Sequence, residues 1–180
     1  MSEETQTLRL DLGCGKNKQP GFTGVDSLAF DGVDLVHDLR EPWPWADAAV
    51  DEVHCSHFLE HLTGKERIHF FNELWRVLKP GASARIITPH WSHERAYGDP
   101  THQWPPVCSW TYFYLDRAWR DVNAPHAGYT CDFTYVLVGT HDQNDAWVAF
   151  RNVETKSVLM SRNINTVTDL IATVTKRKAE

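Results

Sequence analysis

The chain has 180 residues, of which 42% are hydrophobic and 23% charged; 24 Asp and Glu outweigh 18 Lys and Arg, so the formal net charge is −6. This length supports one folded domain with a substantial core rather than two, and the composition excludes extensive disorder. An acidic chain is not attracted to phosphate backbones, so the charge disfavours nucleic acid as a partner.

The first residues and the cysteines indicate the compartment. The chain begins with polar and acidic residues, and no stretch is long and apolar enough for a membrane span. The four cysteines, at positions 14, 55, 108 and 131, are spaced for neither a disulfide framework nor a cysteine zinc site. We therefore expect reduced thiols in a soluble, cytoplasmic protein without a membrane partner.

The first half of the chain alternates predicted strands with a helix. Leu8, Leu10 and Leu12 alternate with Arg9 and Asp11, which is typical of a strand. Further strands are predicted at residues 24–26, 33–38, 50–54 and 84–88. A helix is predicted from apolar residues three to four positions apart, namely Ile68, Phe71, Trp75 and Leu78. It should stop at Lys-Pro-Gly in residues 79–81, and the alternation favours a parallel α/β sheet.

The second half is less regular. Proline, histidine and tryptophan are dense in residues 89–126, where we predict a short helix at residues 112–120. Strands are predicted at residues 133–138 and 147–153, and turn formers between them favour a hairpin. A final amphipathic helix is predicted from the spacing of Ile164, Val167, Leu170, Ile171 and Val174.

Residues 10–15, Leu-Asp-Leu-Gly-Cys-Gly, form the strongest motif. A strand runs into a sharp turn whose two glycines tolerate positive φ and let a ligand approach bare backbone. The motif lacks the Gly-Lys-Ser/Thr ending of a phosphate-binding loop. A nucleoside or nucleotide bound at the carboxyl ends of the strands is the functional interpretation, and a simple turn is the alternative.

Two carboxylates follow at the ends of the next predicted strands. Asp26 has two oxygens that could accept both hydroxyls of a ribose, although it could equally cap a turn. Asp38 and the backbone of Leu39 could meet an adenine edge, and a loop aspartate is the alternative there.

Taken together, these residues resemble the class I S-adenosylmethionine-dependent methyltransferases, and within them the small type 11 group. The resemblance extends from Leu8 to about His90. Its carriers are residues 10–15, 24–26, 37–39, 45–53, 56–62 (Ser-His-Phe-Leu-Glu-His-Leu) and 74–81 (Leu-Trp-Arg-Val-Leu-Lys-Pro-Gly). It implies a Rossmann-like, seven-stranded, mostly parallel sheet with helices on both faces and a C-terminal antiparallel hairpin. We expect a single domain over residues 1–180, with a substrate-covering insert at about residues 89–128.

The resemblance also implies a set of residues that bind S-adenosylmethionine. The methionine end would meet Asp11 and the turn formed by Gly13, Cys14 and Gly15. Asp26 would bind the ribose, and Asp38 and Leu39 the adenine. The side from which the methyl group leaves would be lined by Ser56, His57 and Phe58.

The insert supplies candidates for the acceptor side. His102 and His90 are candidate catalytic bases, since they follow the fifth strand and should overhang the edge where the methyl group points. Substrate contacts are predicted for Trp91, His93, Trp104 and Tyr112. Hydrogen-bonded loop histidines and a satellite aromatic core are the alternatives.

No metal site is predicted. Imidazole and carboxylate groups are plentiful, at His57, His61, His90, His93, Glu94, Asp99 and His102, but the His-Glu-x-x-His helix motif is absent. His61 is common in the resembled family, where we interpret it as structural.

The predicted reaction is methyl transfer from S-adenosylmethionine to an oxygen or nitrogen of a small molecule. Three alternatives remain open: cleavage of the cofactor or transfer of its aminocarboxypropyl or aminopropyl group, a non-catalytic partner subunit that binds the cofactor, and methylation of a macromolecule. Residues 55–58, Cys-Ser-His-Phe, replace the Pro-Pro motif of enzymes that methylate DNA amino groups, which argues against that acceptor.

Overall fold

A computed structural model describes residues 7–141 and 164–178, and its strands form one seven-stranded sheet in the order β3-β2-β1-β4-β5-β7-β6. The strands are β1 (Arg9–Leu12), β2 (Thr23–Asp26), β3 (Leu35–Val36), β4 (Val50–Ser56), β5 (Leu78–Pro89), β6 (Phe133–Gly139) and β7 (Asp169–Lys176). Neighbouring strands from β3 to β5 pair in parallel, whereas β7 runs antiparallel to both β5 and β6. The predicted class of fold is therefore confirmed.

The longest helix in the described residues is α1 (Gly64–Val77), which begins with a capping box. Thr63 and Glu66 satisfy each other's backbone N–H groups at its first turn. The helix ends at Leu78, where the backbone becomes extended and β5 begins. The shorter elements are a 3-10 turn (Leu59–His61), α2 (Arg95–Gly98), α3 (Ser109–Phe113) and α4 (Arg117–Asn123). None of the described helices has the length and apolarity needed to cross a membrane.

The described helices are unevenly distributed over the sheet. The connections from β1 to β2, β2 to β3 and β3 to β4 contain no helix, so every described helix lies between β4 and β6. Right-handed crossovers place the β4–β5 and β5–β6 connections on the same face of the sheet. The sequence predicts helices on both faces, whereas all the helices of the described residues belong to connections on one face.

The core lies between the sheet and α1. Leu10 and Leu12 of β1 and Val53 and Cys55 of β4 are essentially inaccessible, as are Phe70, Phe71 and Leu74 of the helix. The loop between β3 and β4 also contributes, because Trp43 packs edge-on against Phe70 with 5.4 Å between the ring centroids. The apolar periodicity of α1 therefore comes from a helix packed on the sheet.

The predicted final helix is wrong, because residues 169–176 form β7. Along this segment Leu170, Ala172, Val174 and Lys176 are buried in strict alternation with more exposed residues. The apolar residues fitted both a helical and a two-residue period, and β-branched residues together with pairing to β5 and β6 decide for the strand.

Other boundaries in the second half also differ. The predicted helix at residues 112–120 is divided between α3 and α4, which are separated by residues 114–116. The predicted antiparallel pairing at the C-terminal end exists, but it joins β6 to β7. The predicted strand at residues 147–153 and most of the predicted turn at 139–145 lie outside the described residues.

The register of β7 can be tested by comparing neighbouring substitutions. Val174→Ala removes two buried methyl groups, so we expect the free energy of unfolding in urea to fall by about 2 kcal/mol. Thr173→Ala, one position away on the other face, should change it by less than about 1 kcal/mol. A larger loss for Thr173→Ala than for Val174→Ala would contradict the register.

Candidate active site

The candidate site lies at the carboxyl edge of the parallel strands. The glycine turn follows β1, Asp26 ends β2, and His57 follows β4, while Pro89 ends β5. Because parallel strands present their carboxyl ends at the same edge, residues far apart in sequence meet there.

The two glycines of the turn after β1 have different surroundings. Both have positive φ, 68° at Gly13 and 52° at Gly15. A Cβ atom added to Gly13 would lie 2.5 Å from the ring of Phe58, whereas one added to Gly15 would have no protein atom within 4 Å. Gly13 therefore permits close packing of the turns after β1 and β4, and Gly15 borders open space that a ligand can fill.

Asp26 fixes the turn and also faces a cavity. Its Oδ2 accepts the N–H of Gly15 at 2.9 Å, and its Oδ1 accepts the N–H of Leu28 at 3.0 Å. A carboxylate has about four lone-pair sites, so these bonds leave acceptor capacity for a hydroxyl pair. The cavity, of about 200 Å³, is lined by Asp26, Ser27, His37, Asp38, Leu39, Arg40, Phe58, His61 and Leu62.

Asp38 and Leu39 also border this cavity. Hydrogen bonds from the Arg40 side chain lower the pKa of Asp38 to about 2, so this carboxyl group is ionised at neutral pH. Leu39 is buried, and its C=O accepts the indole N–H of Trp43 at 3.0 Å. The predicted adenine side of the site is thus anchored to the core.

Asp11 and Cys14 are occupied by contacts within the protein. Asp11 is buried and accepts the N–H of Gln19 at 2.6 Å and the Nδ1–H of His54 at 2.9 Å. It therefore holds the loop after the glycine turn. Cys14 is also buried, and its burial, with the nearby carboxylate of Asp11, raises the pKa of the thiol. Both residues therefore stabilise the shape of the glycine turn through contacts within the protein.

A larger cavity of about 710 Å³ opens on the other side of the 3-10 turn. It is lined by His57, Glu60, His61, Pro89, Glu94, Arg95, Gly98, Asp99, Pro100 and His102. His57 has a positive φ of 53°, which is uncommon for a residue with a side chain and frequent at functional sites. Its Nδ1–H donates to Glu60 Oε1 at 3.2 Å, and this bond raises the pKa of His57. Ser56 ends β4 beside it, half-buried.

The two histidines predicted as catalytic lie in different places. His102 lines the larger cavity, and its ring packs edge-on against His61 with 4.8 Å between centroids. His90 is absent from that lining; its Nδ1 lies 2.8 Å from Ser92 Oγ, and burial lowers its pKa. His93 is likewise absent from the lining, and its Nδ1 accepts the N–H of Arg95 at 3.1 Å.

The aromatic residues predicted to contact the substrate also lie in different places. Trp91 and Trp104 are 48% and 78% exposed, and Trp104 borders a small cavity of about 150 Å³ that His102 shares. Tyr112 has no exposed surface and packs between Phe71 and Tyr135 in the core. The substrate-contact prediction for Tyr112 therefore fails, because its spacing in α3 turns the ring inward.

Arg67 is a site residue that the sequence analysis missed. Its guanidinium is buried and donates to the C=O groups of Leu59 at 3.2 Å, Gln103 at 3.2 Å and Pro105 at 2.6 Å. It thereby joins the 3-10 turn after β4 to the segment that follows His102. One sequence signal could have indicated this role: Arg67 lies three positions before Phe70 and four before Phe71, which places it on the apolar face of α1.

Comparison with known proteins finds a family model that matches part of the chain. The family model of the methyltransferase domain matches residues 16–86, which begin directly after the glycine turn and include the α1 helix. No curated protein matches the chain in sequence.

Solved structures share the fold at low sequence identity. An S-adenosylmethionine-dependent methyltransferase from Archaeoglobus fulgidus is 20% identical with a TM-score of 0.67, and the match covers 96% of this chain and 87% of that one. One from Methanosarcina mazei is 15% identical with a TM-score of 0.57, covering 98% and 95%. The geranyl diphosphate C-methyltransferase from Streptomyces coelicolor, solved with geranyl diphosphate and S-adenosylhomocysteine, is 16% identical with a TM-score of 0.56, covering 97% and 73%.

The chain therefore resembles the methyltransferase domain over residues 16–86 and has the fold of these S-adenosylmethionine-dependent methyltransferases, in line with the resemblance seen in the sequence.

The role of Arg67 can be tested by replacing it with a residue of similar length. Arg67→Met leaves buried carbonyl groups without their donor, and hydrogen bonds to a charged group contribute about 1.5–3 kcal/mol each. We expect the free energy of unfolding in urea to fall by about 3 kcal/mol. As a control, Arg85→Met, at an exposed position of β5, should change the free energy of unfolding by less than about 0.5 kcal/mol. Equal effects at the two positions would show that Arg67 does not hold the site together.

Proposed function

We propose that the protein transfers the methyl group of S-adenosylmethionine to an oxygen or nitrogen of a small molecule bound in the larger cavity. The observation that carries this proposal is that His61 lines both cavities. The cofactor side and the acceptor side therefore adjoin at the carboxyl edge of the sheet, which is the arrangement that direct transfer between two bound molecules requires.

The residues around the smaller cavity fit the cofactor. The free acceptor capacity of Asp26 suits the ribose hydroxyls, Leu39 and Phe58 offer apolar surface for the adenine, and the open space at Gly15 admits the methionine part. S-adenosylmethionine supplies a methyl group that is already activated. The tasks left to the protein are to align the two molecules and to exclude water.

On the acceptor side we propose that His102, rather than His90, contacts the substrate. His102 lines the larger cavity with a side chain that is 11% exposed, whereas His90 is bonded to Ser92 outside that lining. His57 also faces the cavity, at the end of β4. Trp104 lies next to His102 and is proposed as a peripheral substrate contact.

A small-molecule acceptor is supported by the size of the cavity and by the charge. About 710 Å³ is within the usual range for pockets that enclose small molecules. The net charge of −6 opposes binding to a nucleic acid. Imidazole, guanidinium and carboxylate groups all line the cavity, so a polar acceptor fits it best.

The reaction can be tested with methyl-deuterated S-adenosylmethionine and fractionated small-molecule extracts. Mass spectrometry should find S-adenosylhomocysteine together with a deuterated product whose heteroatom carries the label. A label on carbon would overturn the proposed acceptor atom. Methylthioadenosine, or cofactor cleavage without any fraction, would instead indicate one of the other cofactor reactions.

The ribose assignment predicts a specific loss of affinity. Asp26→Asn keeps the size of the side chain but removes the charge and half of its acceptor capacity. Since a hydrogen bond to a charged group is worth about 1.5–3 kcal/mol, we expect at least about tenfold weaker binding of S-adenosylhomocysteine by titration calorimetry. Asp31→Asn, in the same β2–β3 connection but exposed, is the matched control. Unchanged affinity in Asp26→Asn would refute the assignment.

A further inference from the structure

We propose that Glu60, His61 and His102 bind a divalent transition-metal cation between the two cavities. One potential ligand atom of each residue lies within 4.8 Å of the others, a separation that a shared ion can bridge after small side-chain movements. All three residues line the larger cavity. Neither the methyltransferase family match nor the sequence motifs assign a metal to them.

One oxygen of the Glu60 carboxylate lacks a hydrogen-bond partner in the described residues. Glu60 is only 4% exposed, and while its Oε1 accepts from His57 Nδ1 at 3.2 Å, its Oε2 is buried without a hydrogen bond in the described part of the chain. A buried carboxylate oxygen without a partner is costly, because it has lost its hydration. A cation bound at Oε2 would supply the missing interaction.

Hydrogen bonding orients His61 as a ligand. The hydroxyl of Thr101 donates its hydrogen to Asp99 Oδ1 at 2.6 Å, so it can only accept from His61 Nδ1, 3.0 Å away. His61 Nδ1 then carries the proton, and Nε2 keeps the lone pair that a metal requires. Chains of this kind from a carboxylate to an imidazole commonly orient metal ligands.

His102 is held in the same way. Its Nδ1 lies 3.3 Å from the C=O of Ala96, and because a carbonyl only accepts, Nδ1 must be the protonated nitrogen. Nε2 is again the nitrogen with a free lone pair. Asp99 Oδ2 lies 3.9 Å from that Nε2 and adds negative charge beside the cluster, which favours a cation.

The protein backbone holds the two halves of the cluster together. The N–H of Gln103 donates to the C=O of Glu60 at 2.8 Å, directly linking the residue after His102 to the 3-10 turn. The side chain of Arg67 also donates hydrogen bonds to both segments, to the C=O groups of Leu59 and Gln103. The three ligands are therefore positioned before any ion binds, which reduces the conformational entropy lost on binding.

The donor set specifies the class of ion. Two imidazoles and one carboxylate suit Zn²⁺ and similar transition metals, whereas Mg²⁺ and Ca²⁺ prefer oxygen ligands alone. Three protein ligands leave coordination positions open, and these would face the acceptor cavity. An ion there would bind and polarise an oxygen or nitrogen of the acceptor, and this role rests on the proposed methyl transfer, although binding of the ion does not.

The test uses untagged, metal-depleted full-length protein without S-adenosylmethionine, titrated with Zn²⁺ against a coloured chelator of known affinity. We expect one zinc ion per chain, with affinity at least about tenfold weaker in Glu60→Gln and in His61→Gln. The exposed His126, changed to Gln, is the control for surface histidines and should leave the affinity unchanged. If circular dichroism shows that Glu60→Gln does not fold, His102→Gln takes its place.

Two outcomes would overturn the site: a wild-type chain that binds no stoichiometric zinc, or a folded cluster variant that binds it as tightly as the wild type. The result is independent of the proposed reaction. Stoichiometric binding that depends on the cluster would support the site even if no acceptor were methylated.

Discussion

The buried guanidinium of Arg67 connects two segments of the candidate active site. It projects from the apolar face of α1 and satisfies carbonyl groups of the turn after β4 and of residues 103–105, which lie almost forty positions further along the chain. Burial lowers the pKa of Arg67, and backbone carbonyl dipoles take the place of its lost hydration. The positions of Glu60 and His102 therefore depend on the packing of the helix against the sheet, and the insert is fixed to the core at the point where the acceptor would bind.

The positions of the residues proposed to bind the cofactor were predictable from the sequence because these residues follow strands closely. The glycine turn, Asp26 and Asp38 each lie within three residues of a strand end, so the parallel order alone brings them to one edge. The cluster of Glu60, His61 and His102 was not predictable, since it depends on a contact across about forty residues that include α1 and β5. The error at β7 has another cause: its apolar residues fit two periods, and pairing with β5 and β6 decides between them.

Several polar groups that looked available in the sequence are already used inside the protein. Asp11 is buried and accepts hydrogen bonds from Gln19 and His54, and Tyr112 belongs to the core. By contrast, Asp26 accepts as many hydrogen bonds as Asp11 but borders the smaller cavity, and Glu60 borders the larger one with an oxygen that has no bond in the described residues. Residue type indicates which chemistry is possible, but acceptor capacity that also faces a cavity distinguishes a candidate ligand-binding group from a structural one.

The position of β7 between β5 and β6 has a consequence for how the chain reaches its native state. Within the described sheet β6 is joined to the other strands through β7 alone, although β7 begins thirty residues after β6 ends. During synthesis β6 can therefore join the described sheet only after the later strand has left the ribosome. Completion of this side of the sheet is therefore a long-range event that follows the synthesis of β7.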